Sequence, residues 1–336
     1  MSAPENDWRP ACSIEMLRFR AQLRHEIRNF FDERGYLEVD TPLLSHDVVV
    51  DAHLHPFAVS TDDGVRYLQT SPEAAMKRLL AAGSGSIYQI SHVFRRRESG
   101  DLHNPEFTML EWYGVQTTQQ DQLELTEQLV RHCFAVANRT TGIQPALVLP
   151  DQPFLLTTYD DAFARVTGTR VIGLSAAELR QIALRQAAVL PDALDEEDVD
   201  GLLNLLLAVL VEPQLGAAVP EFLCDYPASQ AALARLSSAN PAVAQRFELY
   251  IRGIELCNGY HELTDARELM NRDRRNNRTR RRRSDAALPG AGRMLEAMRY
   301  GLPDCSGVAL GFDRLVMLAS GSGTIQAVLP FPQDRA

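Results

Sequence analysis

At 336 residues the chain is long enough for one large domain or two of ordinary size, and it can bury a sizeable core without disulfide or metal staples. A composition of 45% hydrophobic and 23% charged residues excludes long disorder and collagen-like repeats, and the formal charge of −10 argues against wholesale coating of nucleic acid. The longest apolar stretch, residues 202–211, is broken by Asn204 and falls short of the roughly 20 residues a membrane span requires, so no membrane contact is expected.

Residues 1–13 have neither the basic n-region nor the apolar core of a secretory signal and read as a tail before a body at 14–336. Ile14, Leu17, Leu23, Ile27, Phe30 and Phe31 recur on a helical period, and Gly35 supplies a stop. Residues 36–42 read as a short strand entering a proline turn. Ser71-Pro72-Glu73 opens a helix, with a hydroxyl to cap it and proline in the first turn. Residues 87–94 and 107–115 read as strands joined by a loop rich in Arg, Gly, His and Asn. A helix is predicted over 119–138, then mixed helical segments over 155–211 with an acidic surface loop at 192–200. Strands follow at 221–226 and 247–257, a helix at 294–300, and a strand at 306–310 feeding a helix at 312–319. Antiparallel-capable strands with helices at their ends predict an α+β fold. Five scattered cysteines without a CxxC pair predict a reducing, cytoplasmic setting.

Residues 272–283 hold eight arginines and one aspartate, a local +7 that leaves −17 for everything else. On charge alone this reads as a solvated, mobile segment. The sharper reading is a tether for an acidic macromolecule.

The sequence has no GxxxxGK[ST] loop, no GxGxxG after a strand, no HExxH and no Cys/His zinc spacing. His53-x-His55 reads as packing. Polar chemistry concentrates in three runs. In Phe94-Arg-Arg-Arg-Glu-Ser-Gly-Asp-Leu-His-Asn-Pro-Glu-Phe107, two strands would aim guanidinium forks, suited to phosphate oxygens, at one spot. In residues 247–262, Glu248, Glu255 and Glu262 recur every seven residues among apolar neighbours. Glu248 and Glu255 share a strand face if a bulge intervenes, for which Gly253 is the candidate. Glu255 and Glu262 become cross-strand neighbours if Asn258-Gly259 closes a hairpin. Such a cluster suits a cation, either Mg²⁺ carried with phosphates or a substrate ammonium. The third run, residues 307–318, brings small residues and Arg314 to a helix start.

Together these runs resemble the catalytic domain of class II lysyl-tRNA synthetases, with three class motifs in order. Motif 1 is the helix and strand ending at Pro42, motif 2 is the loop 94–107 with its following strand, and motif 3 is Gly311-Phe-Asp-Arg314. The chain is most similar to the shortened members that attach (R)-β-lysine to a lysine of translation elongation factor P. The shared runs are Thr70-Ser-Pro-Glu73, His103-Asn-Pro-Glu-Phe-Thr-Met-Leu-Glu-Trp-Tyr113, Tyr226-Pro-Ala-Ser-Gln230, His261-Glu-Leu-Thr-Asp-Ala-Arg267 and Pro303-Asp-Cys-Ser-Gly-Val-Ala-Leu-Gly311.

The resemblance implies a class II aminoacyl-tRNA synthetase-like antiparallel sheet flanked by helices, a homodimer formed through motif 1, and ATP with Mg²⁺. It implies that Arg95 grips the α-phosphate and, with Glu255 and Arg314, serves catalysis. Arg96, Arg97, Glu98, His103 and Asn104 would complete the loop's part of the ATP site. Phe107 and Arg314 would sandwich adenine, with Glu255, Leu256 and Gly311 lining that site. Glu248 and Glu255 would hold Mg²⁺. Ser71, Pro72, Glu73, Glu111, Tyr113, Asn258, Tyr260 and Glu262 would surround the lysine-like substrate, since ammonium groups need acceptor-rich walls. Two departures stand out. Arg97 occupies the usual glutamate place of motif 2, with Glu98 one residue later, and Ala309 stands where lysyl enzymes usually carry glycine. The Ala309 methyl would narrow the pocket in favour of a β-amino acid.

Motif 1 begins near residue 24, which leaves no room for an N-terminal anticodon-binding barrel, so tRNA is not the expected acceptor. The alternative is a minimal lysyl-tRNA synthetase-like enzyme acylating tRNA or another small acceptor. A catalytically dead regulator fits poorly with Arg95, Glu248, Glu255, Glu262 and Arg314 all present.

Overall fold

A computed structural model describes residues 8–143, 147–191 and 194–336. Residues 1–7 of the predicted tail and 192–193 of the acidic loop lie outside the described residues. In chain order the elements are α1 (Ile14–Asp32), β1 (Leu37–Glu38), β2 (Leu44–Ser45), β3 (Ala58–Thr61), β4 (Gly64–Leu68), α2 (Glu73–Ala81), β5 (Ile87–Phe94), β6 (Glu106–Val115) and α3 (Gln119–Arg139). Then come β7 (Leu155–Thr158), α4 (Tyr159–Thr167), α5 (Ala176–Arg185), α6 (Val199–Leu206), β8 (Glu221–Pro227), β9 (Val243–Ile251) and β10 (Ile254–His261). The last are α7 (Ala266–Arg282), α8 (Gly292–Gly301), β11 (Cys305–Gly311) and α9 (Phe312–Ser320).

The chain divides into two units, the first reaching Val148 and resuming over Leu263–Ala336, the second spanning Leu149–Glu262. In the first unit the strand order is β1-β5-β6-β11. β5 pairs antiparallel with β6 and β6 with β11, while the short edge strand β1 runs parallel to β5. Register places Gln89, Glu111 and Ala309 side by side, hence on one sheet face. Residues alternating with these point to the opposite face, which is the apolar one. There Tyr88 stacks on Phe31 of α1 at 4.7 Å, and Trp112, fully buried, lies 5.4 Å from the same ring. The Trp112 indole N–H donates to Gln122 of α3 at 2.7 Å, so the ring's one polar atom is satisfied in the core. One face is thus dry packing, and the other keeps its polar side chains for chemistry. A small sheet ordered β2-β4-β3 accompanies this unit.

The second unit orders its strands β10-β9-β8-β7, antiparallel except for β7 along β8. Tyr159, Phe163, Leu179, Ile182, Leu202 and Leu206 from its helices pack with Leu223, Tyr226 and Tyr250 into one core.

The strand predicted at 247–257 is two strands. The hairpin closes at Arg252-Gly253, where both residues have positive φ (53° and 74°), as a two-residue primed turn demands. Asn258-Gly259 lie inside β10 instead, so Glu255 and Glu262 are not cross-strand neighbours. Gly259 has a packing reason to lack a side chain, because a Cβ there would stand 2.3 Å from the Phe247 ring. The bulge falls between Glu255 and Cys257, not at Gly253. It pairs Glu255 with Tyr250 and Asn258 with Glu248, which puts Glu248 and Glu255 on the same face.

The arginine run is likewise not a loose segment. It forms most of α7, with Arg272 and Arg280 buried (8% and 3% exposed). Asp265 caps the helix by accepting from the Arg267 and Glu268 N–H groups.

Candidate active site

In the first unit, Ser71 Oγ accepts from the Glu73 N–H at 3.0 Å and donates to Glu111 Oε2 at 2.9 Å. Pro72 occupies the N-cap position of α2, so this hydroxyl is what steadies the helix start. The Tyr113 hydroxyl donates to the other Glu111 oxygen at 2.6 Å. Glu111 is 2% exposed and therefore a buried carboxylate with both oxygens engaged. One turn along α2, Lys77 Nζ donates to Glu73 Oε1 at 2.6 Å, with the amine 1% exposed. Lys77 is the chain's sole lysine. Two buried carboxylates against one cation leave a surplus of negative charge. That balance suits an incoming ammonium better than an anion.

The loop between β5 and β6 sorts its charges by partner. Arg95 Nε donates to the Thr70 carbonyl at 3.3 Å, and its guanidinium lies 5.1 Å from the Phe107 ring centre. Glu98 approaches Arg95 at 3.7 Å. Arg97 adopts a left-handed backbone (φ 73°) and turns to Asp285 at 3.3 Å and His55 at 3.4 Å. Of the two candidates for the motif 2 glutamate place, Glu98 is the one beside Arg95. The Arg96 N–H is bonded to the His55 carbonyl at 2.7 Å. Asn104, 7% exposed, uses both ends within the chain, donating to Glu106 O and accepting from the Gln333 N–H.

Arg314, in the first turn of α9, places Nη2 2.8 Å from His103 Nε2 and Nε 3.4 Å from Leu102 O. A guanidinium only donates, so Nε2 of His103 is the acceptor and its ring is neutral with the proton on Nδ1. Partial desolvation, then the Arg314 guanidinium, holds the His103 pKa below the ordinary histidine value. The unfolded chain therefore takes up this proton first, and stability lent by the contact is lost as pH falls below about 6.5. A thermal melt series should show that acid limb, and His103→Gln should flatten it.

Asp313 was not anticipated from the sequence. It accepts from the Thr108 N–H at 2.7 Å and pairs with Arg20 at 2.6 Å, pinning the start of α9 to β6 and to α1. Its neighbour Arg314 is aimed by that anchor. Lys77 also escaped sequence reading, although its i, i+4 spacing from Glu73 was a usable signal.

In the second unit, Glu248 of β9 is 6% exposed. Its Oε2 accepts from the Tyr226 and Tyr250 hydroxyls at 2.5 and 2.7 Å, and its Oε1 from Arg246 at 2.6 Å. A bulge at Asp225 (φ 58°) shifts the register of β8 and brings Tyr226 to that face. Burial pushes the Arg246 pKa down, and the facing Glu248 carboxylate more than offsets that, leaving it above the ordinary arginine value. Asn258 and Tyr260 of β10 pair with Glu248 and Arg246 in register, so they share the face, as does Glu255. Leu256, the residue between the shifted pairs, is 1% exposed. Glu262 follows β10 and is bridged to Ala234.

The family profile of class II tRNA synthetases (D, K and N) matches residues 6–335. The chain belongs to that family. Similar curated relatives include one from Vibrio cholerae serotype O1, 42% identical over 98% of this chain and 99% of the relative. One from Yersinia enterocolitica is 43% identical over 98% of each, and one from Vibrio vulnificus is 44% identical over 97% of this chain and 98% of its own. All three are named elongation factor P--(R)-beta-lysine ligase. The α+β expectation and the class II assignment read from motifs 1 to 3 agree with this membership.

Among the described residues no group of three or more His, Cys, Asp or Glu side chains could cage a metal. Mg²⁺ that arrives with nucleotide phosphates needs only one or two protein carboxylates, and Glu248 with Glu255 on one strand face fits that demand. No helix among the described residues is long and apolar enough to cross a membrane.

Proposed function

We propose that the protein activates (R)-β-lysine with ATP and transfers it to the ε-amino group of a lysine on translation elongation factor P. What carries this reading is the name shared by relatives 42–44% identical over nearly the whole chain. The Arg95–Phe107 and His103–Arg314 pairs supply a matching nucleotide-directed geometry.

The β-lysine carboxylate attacks the α-phosphorus of ATP, and the bond to pyrophosphate breaks to leave a mixed anhydride with AMP. The acceptor amine then attacks the carbonyl carbon, AMP departs, and the amine gives up a proton as the amide forms. Arg95 bears on the α-phosphate, where negative charge gathers. Phe107 and Arg314 take the two faces of adenine, with His103 fixing the Arg314 head. Glu73, Glu111, Tyr113 and Ser71 of the first unit receive the diamine. Glu248 and Glu255 would hold Mg²⁺, which neutralises phosphate charge when bound. Proximity of bound reactants then does most of the remaining work.

Residues 14–336 are taken as one catalytic domain. A homodimer through α1 and β1 is part of this reading, supported by Leu37, 55% exposed on the edge strand β1. The cytoplasm is taken as its compartment, supported by five cysteines that are all buried and form no disulfide.

The test is intact mass measurement of purified elongation factor P after incubation with the protein, ATP and either lysine isomer. The expected result is one lysyl-sized adduct, favoured by the β-isomer. Charging of tRNA with no protein adduct would overturn it in favour of the minimal-synthetase alternative. Ala309 lies directly opposite Glu111 in register, so its methyl borders the acceptor-rich patch. Ala309→Gly should raise pyrophosphate exchange driven by α-lysine relative to β-lysine, and an unchanged preference would remove Ala309 from the specificity argument.

A further inference from the structure

The arginines of α7 fall into two sets. On the inward side, Arg280 donates to the backbone carbonyls of Asp51, Leu54 and Ala286 at 2.8–3.0 Å, and Arg272 pairs with Glu268 at 2.9 Å. Asn276 and Asn277 of the same side bond Val50 O and Leu288. On the outward side stand Arg267, Arg274, Arg278, Arg281 and Arg282, all exposed. Steps of seven, four, three and one residue keep these five on one helical face. Among the described residues none of the five has an ion-pair partner, in a chain whose other residues sum to strong negative charge. The two acids of α7 do not serve this face: Glu268 takes Arg272 and Arg275, and Asp273 lies next to Glu73.

A chain of contacts ties this helix to the nucleotide loop. Arg280 and Arg283 hold the segment 51–54 from one side, Arg283 through His53 at 3.0 Å. From the other side, the Arg96 N–H bonds His55 O at 2.7 Å, and Arg97 meets His55 and, beyond the end of α7, Asp285. The exposed arginine face is therefore braced against the loop that carries Arg95.

We propose that Arg267, Arg274, Arg278, Arg281 and Arg282 form the docking face for an acidic surface of the protein acceptor, and that the brace through residues 51–55 presents the acceptor's lysine to the loop of Arg95. This rests on the acceptor being a protein, as argued above. Charge of one sign on a rigid face accelerates and orients encounter without making a tight, dry contact. Guanidinium heads on a fixed helix suit carboxylates, which they engage in paired bonds.

The test compares wild type with the combined Arg274→Gln, Arg278→Gln, Arg281→Gln, Arg282→Gln variant. Binding of elongation factor P is followed by fluorescence anisotropy across a salt series, beside acceptor-free pyrophosphate exchange. The expected result is binding weakened by about tenfold or more at low salt, a flatter salt dependence, and exchange unchanged. Equal binding and acylation by the two proteins would overturn the proposal. So would a variant that loses binding to added tRNA while keeping the protein acceptor, since the face would then serve RNA. Arg280→Gln is the structural control and should lower the melting temperature, which the four exposed substitutions should not. Failure of the functional reading looks different, because wild type itself then leaves the acceptor unmodified while the anisotropy comparison still decides the docking face.

Discussion

Arg95→Ala should lower acceptor-free pyrophosphate exchange by about a hundred- to a thousandfold, the usual cost of removing one donor from a site of developing charge. The side chain is not free to be replaced by any cation. Its Nε is engaged by Thr70 O, its plane lies by the Phe107 ring and its Nη1 faces Glu98. An ammonium has no plane to set against an aromatic face and cannot donate from a rigid fork, so Arg95→Lys should recover only a small part of the rate. Melting temperatures near that of wild type would separate the catalytic loss from unfolding. Exchange within a few-fold of wild type in Arg95→Ala would remove this residue from the chemistry.

Glu111→Gln should reduce kcat/KM for the diamine by about a hundredfold, in the range seen when one member of a buried charged hydrogen-bonded set is neutralised. The carboxylate accepts from two hydroxyls, Ser71 and Tyr113, and is itself 2% exposed. An amide turns one of those acceptor atoms into a donor and removes the charge that an ammonium seeks. The loss should appear as a raised KM for β-lysine with the KM for ATP unchanged. If both constants move together, Glu111 is shaping the whole sheet face and not the amine subsite.

Much of this fold is legible in the sequence. The strand at 87–94 coincides with β5, because Ile87, Tyr88, Ile90 and Val93 advertise a strand against Arg-rich punctuation. The helix start at Ser71-Pro72-Glu73 was readable from its residue types, although Pro72 stands at the N-cap and not in the first turn, and Ser71 reaches the Glu73 N–H from one residue before it. The hairpin was misplaced because Asn-Gly is the stronger turn signal, whereas Arg252-Gly253 makes the turn and Gly259 is needed beneath Phe247. The helix α7 was hidden by its own composition. Its buried side includes arginine and asparagine, which satisfy backbone carbonyls of a neighbouring loop and leave no apolar period to detect. Among the candidate residues, Glu111 came from resemblance to a family alone, whereas Arg95, Glu248 and Arg314 also stood out within their runs and took their roles from that resemblance. Asp313, Tyr250 and Arg246, which hold those residues in place, surfaced only through three-dimensional contacts.

The sole lysine has a chemical consequence of its own. A lysyl adenylate is an acylating reagent toward primary amines, and a typical protein surface is covered with them. Here the one side-chain amine is 1% exposed and held by Glu73, while every other basic side chain in the sequence, histidine apart, is arginine. Guanidinium groups stay protonated at any working pH and do not compete as nucleophiles. On the proposed reaction, the protein can make its reagent with no exposed ε-amine to label on itself.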